Sequence, residues 1–189
     1  MNINRLKKQG METESRMQWI RRMDRMIFFW FNRRISSRKL DRLFGWITHL
    51  GGASFTIICA LFLVWFTKGE LSRIGLQSLI ALAASHIVAV LIKRKVRRDR
   101  PFRTLEQVKV GKYPLKDYSF PSGHTTAIFA LVTPFLLVSS PAIMLALMGL
   151  ALLVAISRIY WGYHYPIDCV AGGMVGFLTA VLVVMFMHS

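Results

Sequence analysis

Between Tyr118 and Ser139 the chain reads YSFPSGHTTAIFALVTPFLLVS. Pro121, Ser122, Gly123 and His124 stand directly ahead of an apolar run, Thr125 to Ser139, that carries no charge. A serine before such a run is an N-cap signal, so Ser122 is predicted to open a helix with Gly123 and His124 in its first turn. In lipid an open strand leaves backbone groups unpaired, so the run is read as a helix entering a membrane. A histidine at its entrance then needs a reason, and the reason depends on which other polar residues arrive there.

Four more apolar runs surround it: Ala53–Thr67, Ile74–Ile92, Pro141–Ile156 and Ile167–Met187. Only Ile74–Ile92 and Ile167–Met187 approach the roughly 20 residues that span hydrocarbon, so the others must borrow flanking residues, Trp46 to Gly52 or Ser157 to Trp161. The segment Ser139–Pro141 is a tight hairpin, and Pro134 is expected to kink the helix before it. The predicted fold is therefore all-α, an integral membrane helical bundle of five spanning helices, or six if the N-terminal region supplies one. That region, residues 1–50, alternates apolar clusters with Arg and Lys, as in MDRMIFFWFNRRISSRKLDRLFGWITHL from Met23. Burying those charges costs roughly 2.5–3.5 kcal/mol each near the bilayer centre, so basic amphipathic helices lying in the interface are expected there, with residues 51–189 forming the membrane-embedded domain.

Charge is segregated in the same way. The 189 residues are 54% apolar yet carry 25 Lys+Arg against 9 Asp+Glu, a formal net charge of +16. Twelve basic residues lie between Arg5 and Arg42 and ten between Lys93 and Lys116, leaving only Lys68, Arg73 and Arg158 outside. Basic blocks beside apolar spans face anionic lipid head groups, so the lipid bilayer is the expected partner and nucleic acid is not. Cys59 and Cys169 sit in apolar runs without metal-ligand or disulfide spacing and read as small buried hydrophobes. No removable signal peptide is read at the N-terminus.

Topology brings three polar segments to one membrane surface. If the run ending at Ile92 exits on one face, His124 enters from that face, and the returning helix delivers Ser157–Asp168 back to it. Lys93 and Arg100 are two helical turns apart and would point the same way while the helix continues toward Pro101. Ser122 and Gly123 form an anion-binding helix start. Arg158 ends one helix, and His164 and Asp168, four residues apart, can hydrogen-bond so that the carboxylate orients the imidazole. Three cations, an N–H-rich helix start, one free histidine and one oriented histidine make a phosphate site. His164 is the expected nucleophile and His124 the general acid, with Lys93, Arg100 and Arg158 neutralising the phosphoryl oxygens together with Ser122 and Gly123; no metal and no cofactor is called for.

Lys93-x6-Arg100-Pro101, Pro121-Ser122-Gly123-His124 and Ser157-Arg158-x5-His164-x3-Asp168 resemble the three-part signature of the type 2 phosphatidic acid phosphatases. The resemblance covers roughly Asp41 to the C-terminus. It implies a helical membrane fold and metal-independent hydrolysis of a membrane lipid phosphate or diphosphate, such as undecaprenyl diphosphate, phosphatidate or phosphatidylglycerol phosphate, through a phosphohistidine. It also implies a multi-pass protein of the cell membrane with an extracytoplasmic active site. The positive-inside rule applied to five spans places that face in the cytoplasm; a sixth span reconciles the two. Vanadate-dependent haloperoxidases share the signature but are soluble, which the five apolar runs oppose. A non-catalytic membrane adaptor holding anionic lipids is the remaining alternative, and it has no need of an oriented nucleophile. His86 and His49 are read either as core histidines or as extensions of the polar site. Arg94, Lys95, Arg97 and Arg98 read as a head-group-facing cluster, and Trp19, Trp30, Tyr160, Trp161, Tyr163 and Tyr165 as interfacial aromatics.

Overall fold

The computed structural model describes residues 3–112 and 115–188. Eight α-helices follow one another: α1 Ile3–Phe29, α2 Arg38–Ile47, α3 Ala53–Phe66, α4 Glu70–Val96, the single turn α5 Pro101–Thr104, α6 Gly123–Leu136, α7 Pro141–Tyr160 and α8 Pro166–His188. A π-helical turn, Trp30–Arg34, extends α1, and a 3-10 turn, Thr48–Gly51, extends α2. All five apolar runs are helical. Among the described residues three helices, α4, α7 and α8, are long and apolar enough to cross a membrane by themselves. Residues 38–51 and α3 make a fourth only when taken together, and they meet at a 56° bend. Helix α6 is shorter, and it ends two residues after Pro134.

Helix α6 is central, packed on α4, α7 and α8. Its contact with α8 is close because glycines line α8. A Cβ on Gly172 would stand 2.5 Å from Ser122 O, and one on Gly176 would stand 2.3 Å from Thr126 O. The Gly172-x3-Gly176 stripe thus lets two backbones approach as small-residue stripes do in membrane bundles. It also holds the start of α6 against the start of α8, where Ser122 N donates to Asp168 O at 2.9 Å. The surrounding core is made of small and β- or γ-branched residues, among them Ala60, Ala81, Leu82, Ile128, Ala151, Val154 and Ala180. Gly176→Leu is expected to destabilise the protein by about 1–3 kcal/mol or more through overpacking. Gly149→Leu, where an added Cβ meets nothing within 4 Å, should be near neutral. Thermal unfolding in detergent compares the two.

The last turns of α1 are fastened to the rest. Phe28 is buried in a cluster with Ala155, Ile159, Tyr165 and Cys169. Asp24 is 2% exposed and accepts from Ile167 N at 3.0 Å, so its carboxylate caps the start of α8 where the helix dipole is positive. Asn32 donates to Lys109 O and Tyr160 O, both at 2.8 Å, and accepts from Lys109 N, tying the loop after α5 to the end of α7. Lys109 and Tyr160 converge on the Asp41 carboxylate.

Candidate phosphate site

Helix α4 does not continue to Pro101. It ends at Val96, where Arg97 takes a left-handed conformation (φ 50°) and donates to Lys93 O. Arg100 is extended and leads into the Pro-initiated turn α5. Lys93 and Arg100 therefore meet through a shared partner rather than a shared helix face. Asp117 pairs with both, Lys93 Nζ at 2.6 Å and Arg100 Nη2 at 2.6 Å. Burial pushes this carboxyl up, but Lys93 and Arg100 outweigh it and bring its pKa down to about 2.

Ser122 caps α6 as the sequence indicates, its Oγ accepting from Thr125 N at 3.5 Å. The N–H groups of Gly123 and His124, in the first turn, have no acceptor among the described residues. Beyond its own chain neighbours and helix backbone, nothing lies within 4 Å of a Cβ built on Gly123, so packing does not demand glycine there, and the backbone at this helix start is open to close approach.

His164 and Asp168 are both buried, but their nearest atoms, Nδ1 and Oδ2, are 3.7 Å apart, too long for the direct hydrogen bond expected from the i, i+4 spacing. The reason is that Asp168 Oδ2 already accepts from Ser119 Oγ at 2.5 Å and from Tyr165 N at 2.9 Å. Ser119 Oγ in turn lies 3.4 Å from His164 Nδ1, so the hydroxyl stands between carboxylate and imidazole. The other oxygen, Oδ1, accepts from Arg98 at 2.8 Å, and Arg98 also reaches Asp24 at 2.7 Å. Arg98 thus leaves the head-group-facing cluster the sequence places it in, because two buried carboxylates and the face of Tyr165, 4.0 Å from its Cζ, give it a better site.

Arg100 Nη1 lies 3.1 Å from His164 Nε2. A guanidinium only donates, so Nε2 presents its lone pair and the proton sits on Nδ1, facing Ser119 and Asp168. Burial first, then the charges of Arg100, Arg158 and Lys93, hold this imidazole well below its ordinary range. The folded protein therefore binds fewer protons than the unfolded chain just below pH 6.5, and this contribution to stability falls as pH drops below that value. The melting temperature is expected to decline between pH 7 and pH 5, with a shallower decline in His164→Gln.

Arg158 is the opposite of Arg100. It is 3% exposed, its Nη1 donates to Thr48 Oγ1 at 2.6 Å, its Nε has no hydrogen-bond partner, and it makes no ion pair with a carboxylate among the described residues. The Tyr163 ring packs 4.4 Å from its Cζ. Arg158 and His124 line a cleft of about 690 Å³ with Thr48, His49, Lys112 and Tyr163. A second cavity of about 220 Å³ lies between α3, α4 and α6; it is mostly apolar and has His86 and Gly123 in its lining. Buried cations, unpaired donors and two histidines gathered at a helix start are equipped to bind an oxyanion and to attack it.

A sequence profile of the PAP2 superfamily matches residues 74–189, which contain every one of these groups except Thr48, His49 and Asp24. The chain belongs to the PAP2 superfamily. PAP2 relatives include the bacitracin transport permease protein BcrC of Bacillus licheniformis, 32% identical over 131 residues, covering 68% of this chain and 64% of that one. A putative undecaprenyl-diphosphatase, YbjG, of Escherichia coli is 37% identical over 108 residues, covering 55% of this chain and 54% of its own. The chain thus spans between half and two thirds of the length of these curated relatives. The crystal structure of Aquifex aeolicus LpxE superposes with a TM-score of 0.76 at 26% identity, covering 85% of this chain and 93% of that one. With its apolar helices, this PAP2 protein is a multi-pass membrane protein.

Sequence reasoning passed over Ser119, Thr48, Asp24 and Asp117. Ser119 had a local signal, standing three residues before Ser122 in the same motif; the other three are joined to the site only by long-range contacts.

Proposed function

We propose that the protein is a membrane lipid phosphatase that cleaves a terminal phosphate through a phosphohistidine on His164. The observation that carries this reading is the buried Arg158, unpaired at Nε and without a carboxylate, beside His124 in the cleft. A charge left so is costly unless an anion completes it. His164 Nε2 attacks phosphorus; Asp168, acting through Ser119, fixes the tautomer and stabilises the imidazolium that forms. His124 protonates the leaving oxygen and then activates water. Lys93, Arg100, Arg158 and the N–H groups of Gly123 and His124 receive the phosphoryl oxygens, with Ser122 setting that helix start.

The apolar cavity lined by α3, α4 and α6, Gly123 included, suits the first part of a lipid chain, which supports a substrate lying between these helices. An isoprenoid diphosphate is the favoured substrate, because His49 and Lys112 line the same cleft as Arg158 and His124 and offer a second phosphate further donors. Phosphatidate and phosphatidylglycerol phosphate are the competing substrates. In this reading α3, with the bent segment 38–51 leading into it, joins α4, α6, α7 and α8 as five spans, the basic residues before it lie in the membrane interface, and the site faces the extracytoplasmic side of the cell membrane, opposite to what the positive-inside rule gives for five spans.

Phosphate release from the detergent-solubilised full chain tests the activity, with undecaprenyl diphosphate, phosphatidate and phosphatidylglycerol phosphate side by side. Release is expected to survive excess EDTA and to be blocked by vanadate, which adopts the five-coordinate geometry of the transition state. Loss in EDTA with recovery in magnesium would contradict the mechanism, and no release from any of the three would favour a lipid-binding adaptor.

A further inference from the structure

In this structure Arg100 is closed to a ligand and Lys93 has two of its three N–H groups taken. All five N–H groups of Arg100 are taken, by Asp117 O, Asp117 Oδ1, Tyr118 O, Tyr163 O and His164 Nε2. Lys93 Nζ is held by Asp117 Oδ2 at 2.6 Å and Tyr118 O at 2.8 Å. Neither residue lines the cleft that exposes His124 and Arg158. A phosphoryl group that takes oxygens to all three cations must therefore replace the Asp117 carboxylate, which spans two of them with one oxygen each. The replacement is feasible, because the Asp117 side chain is 55% exposed and lies in a loop without regular structure, so it can turn to water.

We infer that Asp117 is a charge filter, a specificity-determining residue that admits a terminal phosphate and turns away the phosphodiester head groups of the surrounding bilayer. This rests on the phosphatase reading above. A phosphodiester brings one negative charge, no more than the carboxylate it would displace, and it competes against a tethered group with a high effective concentration. A terminal phosphate brings about −1.5 to −2 at neutral pH and two or three free oxygens, so it gains more from Lys93 and Arg100 than Asp117 does. Without that carboxylate, the cluster of Lys93, Arg100 and Arg158 beside a membrane surface would be open to the abundant anionic phospholipid.

The test uses the full chain in mixed micelles, hydrolysing short-chain phosphatidate while phosphatidylglycerol is titrated in, with phosphatidylcholine as the zwitterionic control. Wild type is expected to resist phosphatidylglycerol. Asp117→Asn should show a lower KM for phosphatidate and half-inhibition at about tenfold less phosphatidylglycerol, the factor that two modest, partly exposed ion pairs allow. Asp117→Glu keeps the charge and should keep the resistance. A wild type inhibited by phosphatidylglycerol near its KM for phosphatidate overturns the filter without any variant. So does Asp117→Asn with a raised KM and unchanged phosphatidylglycerol sensitivity, the pattern of a residue that merely positions Lys93 and Arg100. Absence of phosphate release from wild type with phosphatidate, undecaprenyl diphosphate and phosphatidylglycerol phosphate alike would sink the phosphatase reading and the filter together; if only one of the other two is cleaved, the same titration is run on it, and release with either of the preceding patterns sinks the filter alone.

Discussion

His164→Ala is expected to lower turnover of a lipid phosphate by about 10⁶-fold, the scale seen when a covalent nucleophile is deleted, and His124→Ala by roughly 10²–10⁴, the scale of a general acid. The larger figure follows from what each ring does. His164 Nε2 presents the lone pair that forms the bond to phosphorus, and its hydrogen-bonding neighbours cannot replace it: Arg100 only donates, and Ser119 already donates to Asp168. His124 assists departure of an oxygen that leaves slowly without a proton. Asp168→Asn should lose on the order of 10²–10⁴, since the imidazole remains while its orienting charge is gone. Phosphate release measured on one lipid substrate, with circular dichroism to confirm folding, checks all three.

Arg158→Lys is expected to reduce turnover by about 10²–10³-fold, as loss of a preorganised oxyanion donor does. Lysine keeps the charge but not the planar fork. In the structure the fork is divided, Nη1 to Thr48 and Nε unpaired, with the Tyr163 ring alongside Cζ, so an ammonium cannot hold Thr48 and bind phosphate at once. Thr48→Val should show a milder loss in the same assay, because it frees the guanidinium without removing it. Near-normal turnover of Arg158→Lys would assign the phosphate to other cations.

Much of the helical layout was legible because it is local. The Ser122 cap, the hairpin at Ser139–Pro141 and Pro166 opening α8 depend on neighbouring residues and on hydropathy, and the structure has them at or near the positions read. The connections that tune the site were not legible, because they join segments far apart in the chain. Arg98 and Asp168 are 70 residues apart, Arg98 and Asp24 are 74 apart, and Arg158 and Thr48 are 110 apart. Where a local rule competed with a tertiary partner, the partner prevailed. The i, i+4 spacing of His164 and Asp168 favours direct contact, yet Ser119 and the Tyr165 N–H take the carboxylate oxygen first. The seven-residue spacing of Lys93 and Arg100 favours one helix face, yet Arg97 ends the helix and Asp117 gathers the two cations instead.

The N-terminal region shows the same limit. Its alternating charges lead to the expectation of an interfacial helix, and they give no sign that Asp24 caps α8 and holds Arg98, or that Asn32 anchors the loop carrying Lys109. A single buried carboxylate among many exposed arginines leaves no periodic signature.

The unequal work of the two histidines gives the most direct test of the mechanism. With an activated aryl phosphate the leaving oxygen needs little help, so protonation by His124 matters less while bond formation by His164 matters as before. In a rapid-quench single-turnover experiment, His124→Ala is expected to release a burst of aryl alcohol and to accumulate acid-labile phosphohistidine at position 164, while His164→Ala gives neither. A burst from His164→Ala with none from His124→Ala would reverse nucleophile and acid and contradict the account.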